Sequence, residues 1–230
     1  MRFALYYSPP QTSVLHDLGS RWLGYNAYTG QSLDQPGDGL LKDLTEQASR
    51  YGLHATLKAP FHLKEGATFE DFKLSTAATA QELSAIAIPR LVLSSLDGFL
   101  ALTPETQNED VNDLAATCVR RLDHLRAPVD EAELKRRGSA ALSSRQNDLL
   151  INWGYPYVFD EFRFHITLTR KLTDSEMVAV FDLAESHFAQ VLRQPLDISA
   201  LTTFVEAGPD VRFRVVDTFS LTANLMAAFA

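Results

Sequence analysis

The chain is nearly without cysteine: Cys118 stands alone among 230 residues. An internal disulfide and a cysteine metal cluster are therefore both excluded. Long apolar runs are missing too, and no segment approaches the roughly 20 residues that a membrane-crossing helix needs. The first residues, Met1 to Tyr7, hold one basic side chain and too short an apolar stretch for a secretion signal. The expected compartment is the cytoplasm, with no membrane partner. Positive charge is not in excess: the formal net charge is −8. Proteins that grip long nucleic acids gain much of their affinity by neutralising phosphates with a basic face. That balance disfavours a long DNA or RNA footprint and suits a small phosphorylated substrate. Hydrophobic residues make up 46% of the chain, enough for a globular protein with one large domain or two closely packed lobes.

What the chain does have is one tetrapeptide pattern used twice, His54-Ala55-Thr56-Leu57 and His165-Ile166-Thr167-Leu168. Each reads as β-strand. Alternation puts His54 with Thr56, and His165 with Thr167, on one face, while Ala55, Leu57, Ile166 and Leu168 point to a core. Two such strands can line a single cleft.

The surrounding order repeats as well. A strand over residues 2–8 and a helix from Thr12 or Ser13 precede a Gly- and Pro-rich loop over 29–39. A short helix over 41–50 leads into the first motif, which Pro60 is expected to end. Thr68 with Asp71 then resembles a capping box opening a helix to about Ala85. Arg90 to Ser95 and Phe99 to Thr103 form strands around an Asp97-Gly98 hairpin turn. After the second motif, Thr173 with Glu176 opens a helix with the stripe Met177, Val180, Ala184, Phe188 and Val191. A strand from Leu196 to Val205, the Gly208-Pro209-Asp210 turn and a return over 211–216 follow. The repeat is too long for a solenoid. It predicts an α+β fold of two pseudo-symmetric lobes from an internal duplication, with antiparallel sheets flanked by helices around a central cleft. The expected lobes are 1–105 and 161–230, with a helical insertion at 106–160 that decorates or lids the cleft. The insertion holds an amphipathic helix over 109–126, a charged stretch with Lys135-Arg136-Arg137, and a helix over 143–153 ending at Gly154.

An imidazole with an ordinary pKa of about 6.5 serves equally as base or acid near neutrality. Two of them flanking a phosphorus atom permit in-line attack of water on a phosphodiester. Thr56 and Thr167 would hydrogen-bond the non-bridging oxygens as their charge grows. Strand alternation adds Lys58, Arg163 and Thr169 to the same face, and Lys58 or Arg163 would neutralise phosphate charge. Tyr155 or Tyr157 offers a stacking surface. No metal or other cofactor is called for, since neither His-x-x-x-His nor Cys-x-x-Cys occurs. His16, His124 and His187 read as structural, His62 as a rim residue and Cys118 as core.

On these two motifs, carried by duplicated halves, the sequence resembles the 2H phosphoesterase superfamily, which includes cyclic nucleotide phosphodiesterases and 2′-5′ RNA ligase-like proteins. The strings Tyr51 to Phe61 and Trp153 to His165 are similar to a bacterial branch of it linked with phosphonate-utilisation genes. The resemblance implies a metal-independent phosphodiesterase acting on a small cyclic or 2′-linked phosphate, with His54 and His165 as the acid/base pair. It leaves open which is which. The alternatives are RNA 2′-5′ ligation or end processing, and a module that binds a nucleotide or phosphate without turnover.

Overall fold

The computed structural model describes residues 1–130, 134, 142–209 and 211–222. Strand β1 (Arg2–Tyr7) is followed by helix α1 (Val14–Leu23), whose N-cap Ser13 accepts the His16 N–H at 3.1 Å. The expected loop contains a two-residue ladder, β2 (Tyr25–Asn26) with β3 (Gln31–Ser32), before helix α2 (Leu41–Ser49) and strand β4 (Ala55–Phe61). Helix α3 (Phe69–Glu82) opens on the predicted Thr68/Asp71 capping box. Strands β5 (Ile86–Ile88), β6 (Leu91–Leu96) and β7 (Phe99–Pro104) follow. Asp97 and Gly98, at φ of 46° and 91°, make the tight turn between the last two.

Helix α4 (Glu109–Leu122) and helix α5 (Ser144–Trp153) make up the insertion; α5 is capped by Ser143 with Gln146 and stopped by Gly154 in the left-handed region. Lys135-Arg136-Arg137 lies outside the described residues. The second repeat supplies β8 (Ile166–Lys171), α6 (Asp174–Phe188) behind the Thr173/Glu176 capping box, β9 (Leu196–Ile198), β10 (Ala200–Glu206) and β11 (Arg214–Ser220). The long strand expected from Leu196 to Val205 is broken at Ser199, because β9 leaves the main sheet to pair with β5. The return strand starts at Arg214, three residues later than expected.

Seven strands form one antiparallel sheet in the order β11-β10-β1-β4-β8-β7-β6. The motif strands β4 and β8 are central neighbours, joined by the single register pair Ala55↔Ile166. Beyond that pair the sheet divides into two halves. The β6–β7 hairpin of the first repeat lies beside the motif strand of the second, while β10–β11 joins β1 and β4. The halves of the sheet thus interleave the chain stretches 1–105 and 161–230 instead of following them, because each hairpin crosses to the other repeat's side.

Alternation along β1 separates two cores. Phe3, Leu5 and Tyr7 enter the large cluster with Trp22 and Leu44 of the first helices, Phe72 of α3, Cys118 of α4 and Phe188 of α6. Trp22 is fully buried and its indole N–H donates to the Leu168 carbonyl at 3.0 Å, fixing α1 against β8. Ala4 and Tyr6 face the opposite side, in a small cluster with Tyr25, Phe204 and Phe213. His54 lies beside that second cluster, within ring-contact range of Tyr6 and Phe204. No helix among the described residues is long and apolar enough to cross a membrane.

Candidate active site

His54 and His165 each stand one residue before their strands begin. The Ala55↔Ile166 pair brings the two motifs side by side and antiparallel. Continued by one residue each way, that register sets His54 across from Thr167 and Thr56 across from His165. Each imidazole is fixed in the same manner. Nδ1 of His54 lies 2.9 Å from the Gly52 carbonyl, and Nδ1 of His165 lies 2.7 Å from the Arg163 carbonyl. A carbonyl only accepts, so both rings carry a proton on Nδ1 and, when neutral, a lone pair on Nε2. The turn that delivers the first carbonyl needs its glycine: Gly52 has φ +71°, and a Cβ there would lie 2.5 Å from that of Ala27.

The two rings have different surroundings. Tyr6, fully buried, packs against His54 with ring centroids 4.0 Å apart, and Tyr51 and Phe204 stand at 5.8 and 6.4 Å. Burial against these aromatics pushes the His54 pKa down from 6.5 to about 4, with the second histidine adding to the effect and the Gly52 hydrogen bond opposing it. His165 is also lowered by burial, but its carbonyl partner and the Asp97 carboxylate work the other way. Its aromatic neighbour, Phe99, stands farther off at 5.6 Å.

The cleft over this centre has two chambers of about 510 and 500 Å³, which share Thr56, Phe99, Tyr155, Tyr157, His165 and Lys171 in their walls. His54 and Thr167 line the second. Among the described residues neither the Thr56 nor the Thr167 hydroxyl has a hydrogen-bond partner, so both remain available to a ligand. Ala101 is the register partner of Thr167 on β7. Tyr155 and Tyr157, which follow α5, pack edge to face at 5.5 Å and form the wall opposite the sheet.

Several comparisons bear on this chain. The family described as a protein of unknown function, DUF1045, matches residues 56–214, a span that starts inside the first motif and contains all of the second. The chain belongs to that family. It is 40% identical over 221 residues to a ribose 1,5-bisphosphate phosphokinase PhnN of Janthinobacterium sp. (strain Marseille), covering 92% of this chain and 49% of the relative. It is 36% identical over 214 residues to the protein of the same name in Laribacter hongkongensis (strain HLHK9), covering 92% and 50%. The chain thus spans about half the length of the curated relatives it matches. Among solved structures, TT0787 of Thermus thermophilus aligns with a TM-score of 0.49 at 14% identity, covering 97% of this chain and 100% of that one. E. coli LigT complexed with NADP+ aligns with a TM-score of 0.45 at 13% identity, covering 96% and 97%.

Not every residue expected in the cleft of this DUF1045 member is available there. Lys58 is 4% exposed and turned away, its Nζ 3.1 Å from Asp123 Oδ1 and 3.3 Å from the Val119 carbonyl. The cause is a register slip: Tyr6 pairs with Thr56 but Leu5 with Lys58, so β4 holds one extra residue and the alternation of faces changes there. Burial lowers the ammonium pKa of Lys58 while the Asp123 carboxylate opposes the shift. A second slip, between Leu5 and Phe3, lets Pro60 remain inside β4 where it was expected to end the strand. Thr169 borders the cleft but is 1% exposed, and its hydroxyl accepts the Leu100 N–H at 2.9 Å, tying β8 to β7. Arg163 reaches the first chamber and Tyr155 both. Tyr6, Tyr51, Arg170 and Lys171 border the site and were not singled out from the sequence. Of these, only Lys171 continues the His165, Thr167, Thr169 alternation and was legible in advance.

Proposed function

We propose that this protein is a metal-independent phosphodiesterase that hydrolyses a small cyclic or 2′-linked phosphodiester, with His54 and His165 as the proton-transfer pair. The observation that carries the reading is the matched anchoring of both imidazoles through Nδ1, which leaves two Nε2 atoms for chemistry at one cleft. A neutral His54 suits the base, since its aromatic surroundings keep the ring unprotonated above about pH 4. His165, near the Asp97 carboxylate, is the easier of the two to hold charged and suits the acid.

In this reading His54 Nε2 takes a proton from water as the water oxygen bonds to phosphorus. The ester bond on the far side breaks, and its oxygen leaves with the proton from His165 Nε2. Thr56 and Thr167 donate hydrogen bonds to the non-bridging oxygens, which gain charge in the transition state. The products are a phosphate monoester and a hydroxyl on the same molecule when the substrate is cyclic.

The resemblance to 2H phosphoesterases in the two His-x-Thr motifs supports this class of reaction. The name shared by the curated relatives supports a pentose phosphate as the scaffold, and a place in phosphonate utilisation belongs to the same proposal. The test is phosphorus NMR of the purified protein with 2′,3′-cyclic nucleotides and ribose cyclic phosphates in EDTA. Appearance of a monoester signal is expected. Binding of these compounds with no monoester formed would replace the enzyme by a phosphate-binding module.

A further inference from the structure

The two chambers of the cleft differ in charge. The charged side chains lining the chamber on the His165 side are Asp97, Glu161, Arg163 and Lys171, so the signs balance. The chamber on the His54 side is lined by Arg2, Arg170 and Lys171 and by no carboxylate among the described residues. Carboxylates hold two of these cations from behind. Glu206 takes Arg2 through Nε at 2.5 Å and Nη2 at 2.8 Å. Glu176 takes Arg170 at 2.8 and 3.2 Å and is itself fixed by the Thr173 backbone N–H at 2.8 Å. Arg170 keeps N–H donors unspent after these bonds and its bond to the Lys171 carbonyl. Lys171 is exposed and makes no ion pair among the described residues.

We infer that Arg170 and Lys171, in the chamber that both histidines and both threonines also line, form a second anion subsite, and that the substrate is a cyclic phosphodiester carrying a further phosphate on the same sugar. This rests on the function proposed above and names its substrate class. Thr56 and Thr167 would hold the phosphodiester at the histidines, which leaves Arg170 and Lys171 for a second group. Spacing agrees. Thr167 and Lys171 pair with Ala101 and Phe99, two positions apart on β7, so the bulged β8 sets them about 7 Å apart along the sheet. That separation is on the scale of one sugar ring between two phosphates. Tyr51 and Tyr6 border the same chamber and give the sugar an apolar surface. Arg170, held rigid by Glu176, would add directed hydrogen bonds to the charge of Lys171.

The experiment is calorimetric binding of adenosine 2′,5′-bisphosphate and adenosine 2′-phosphate to wild type, Lys171→Ala and Lys171→Arg in EDTA. Wild type should prefer the bisphosphate by about tenfold or more, the scale of one charge-assisted contact. Lys171→Ala should lose most of that preference while leaving the monophosphate affinity unchanged, and Lys171→Arg should keep it. Because Lys171 is exposed, its replacement leaves the fold intact. Equal affinities in wild type, or a preference that survives Lys171→Ala, would overturn the subsite while leaving the phosphodiesterase reading in place. Failure of wild type to bind either nucleotide would overturn the subsite, and the phosphorus NMR assay on ribose cyclic phosphates would decide the phosphodiesterase reading separately.

Discussion

Replacing His54 by Gln should make folding stability less sensitive to acid. The unfolded chain carries His54 with a pKa near 6.5, whereas the folded protein holds it at about 4. A histidine depressed in this direction contributes stability that is complete above the unfolded value and is lost as pH falls toward the folded one. Between about pH 7 and about pH 4.5 the two values correspond to a loss of about 2 kcal/mol. Solvent entering the cleft screens one side of the ring, so this is the upper end of the effect. Gln at 54 does not titrate. The assay is urea unfolding of wild type and His54→Gln at several pH values across that range, comparing the difference between the proteins at each. Titrating groups that do not interact with His54 cancel in that difference, and His165 is its one charged neighbour among the causes of the shift. Wild type should lose stability relative to the variant by about 1–2 kcal/mol on acidification. Parallel stability curves would refute the claim that Tyr6 and its neighbours keep this imidazole neutral.

Other consequences follow from the same structure. The pH profile of kcat/KM should fall on the acid side near pH 4 as His54 protonates, and on the alkaline side below pH 6.5 as His165 loses its proton, giving a mildly acidic optimum. Gly52→Ala, which forces a side chain into left-handed backbone against Ala27, should cost about 1–2 kcal/mol and lower kcat by about a hundredfold by displacing the His54 anchor. Thr56→Val should lower kcat by about a hundredfold with little change in urea midpoint. Thr169→Val should do the reverse, costing about 1–3 kcal/mol because the Leu100 N–H loses its acceptor. Lys58→Met should alter the urea midpoint and leave KM unchanged; a selective rise in KM would place Lys58 in the cleft after all.

Features set by local chemistry were legible in the sequence. The capping boxes at Thr68 and Thr173, the Asp97-Gly98 turn and the alternation of the two His-x-Thr strands depend on residues a few places apart, and each stands where the pattern placed it. The duplication showed in the order of elements, but strand adjacency did not, since a linear order does not say which hairpin crosses to which motif strand. Strict alternation misplaces Lys58 for a related reason. The slip that turns it under the sheet arises from how β4 pairs with β1, a partner distant in sequence. Alternation puts Thr169 on the correct face, but its hydroxyl is committed to an N–H on β7. Tyr6 lies next to His54 only because β1 inserts beside β4, and a tyrosine in a buried strand carries no mark of such a role.

The central claim is that both histidines of this cleft perform one reaction. Its most direct test is single-turnover hydrolysis of a cyclic phosphodiester by wild type, His54→Ala and His165→Ala, each shown to be folded by circular dichroism. Turnover by wild type, with each single variant slower by about a hundredfold or more and the double variant little slower than either, is the predicted result. Retention of wild-type turnover by either single variant would contradict the two-histidine account.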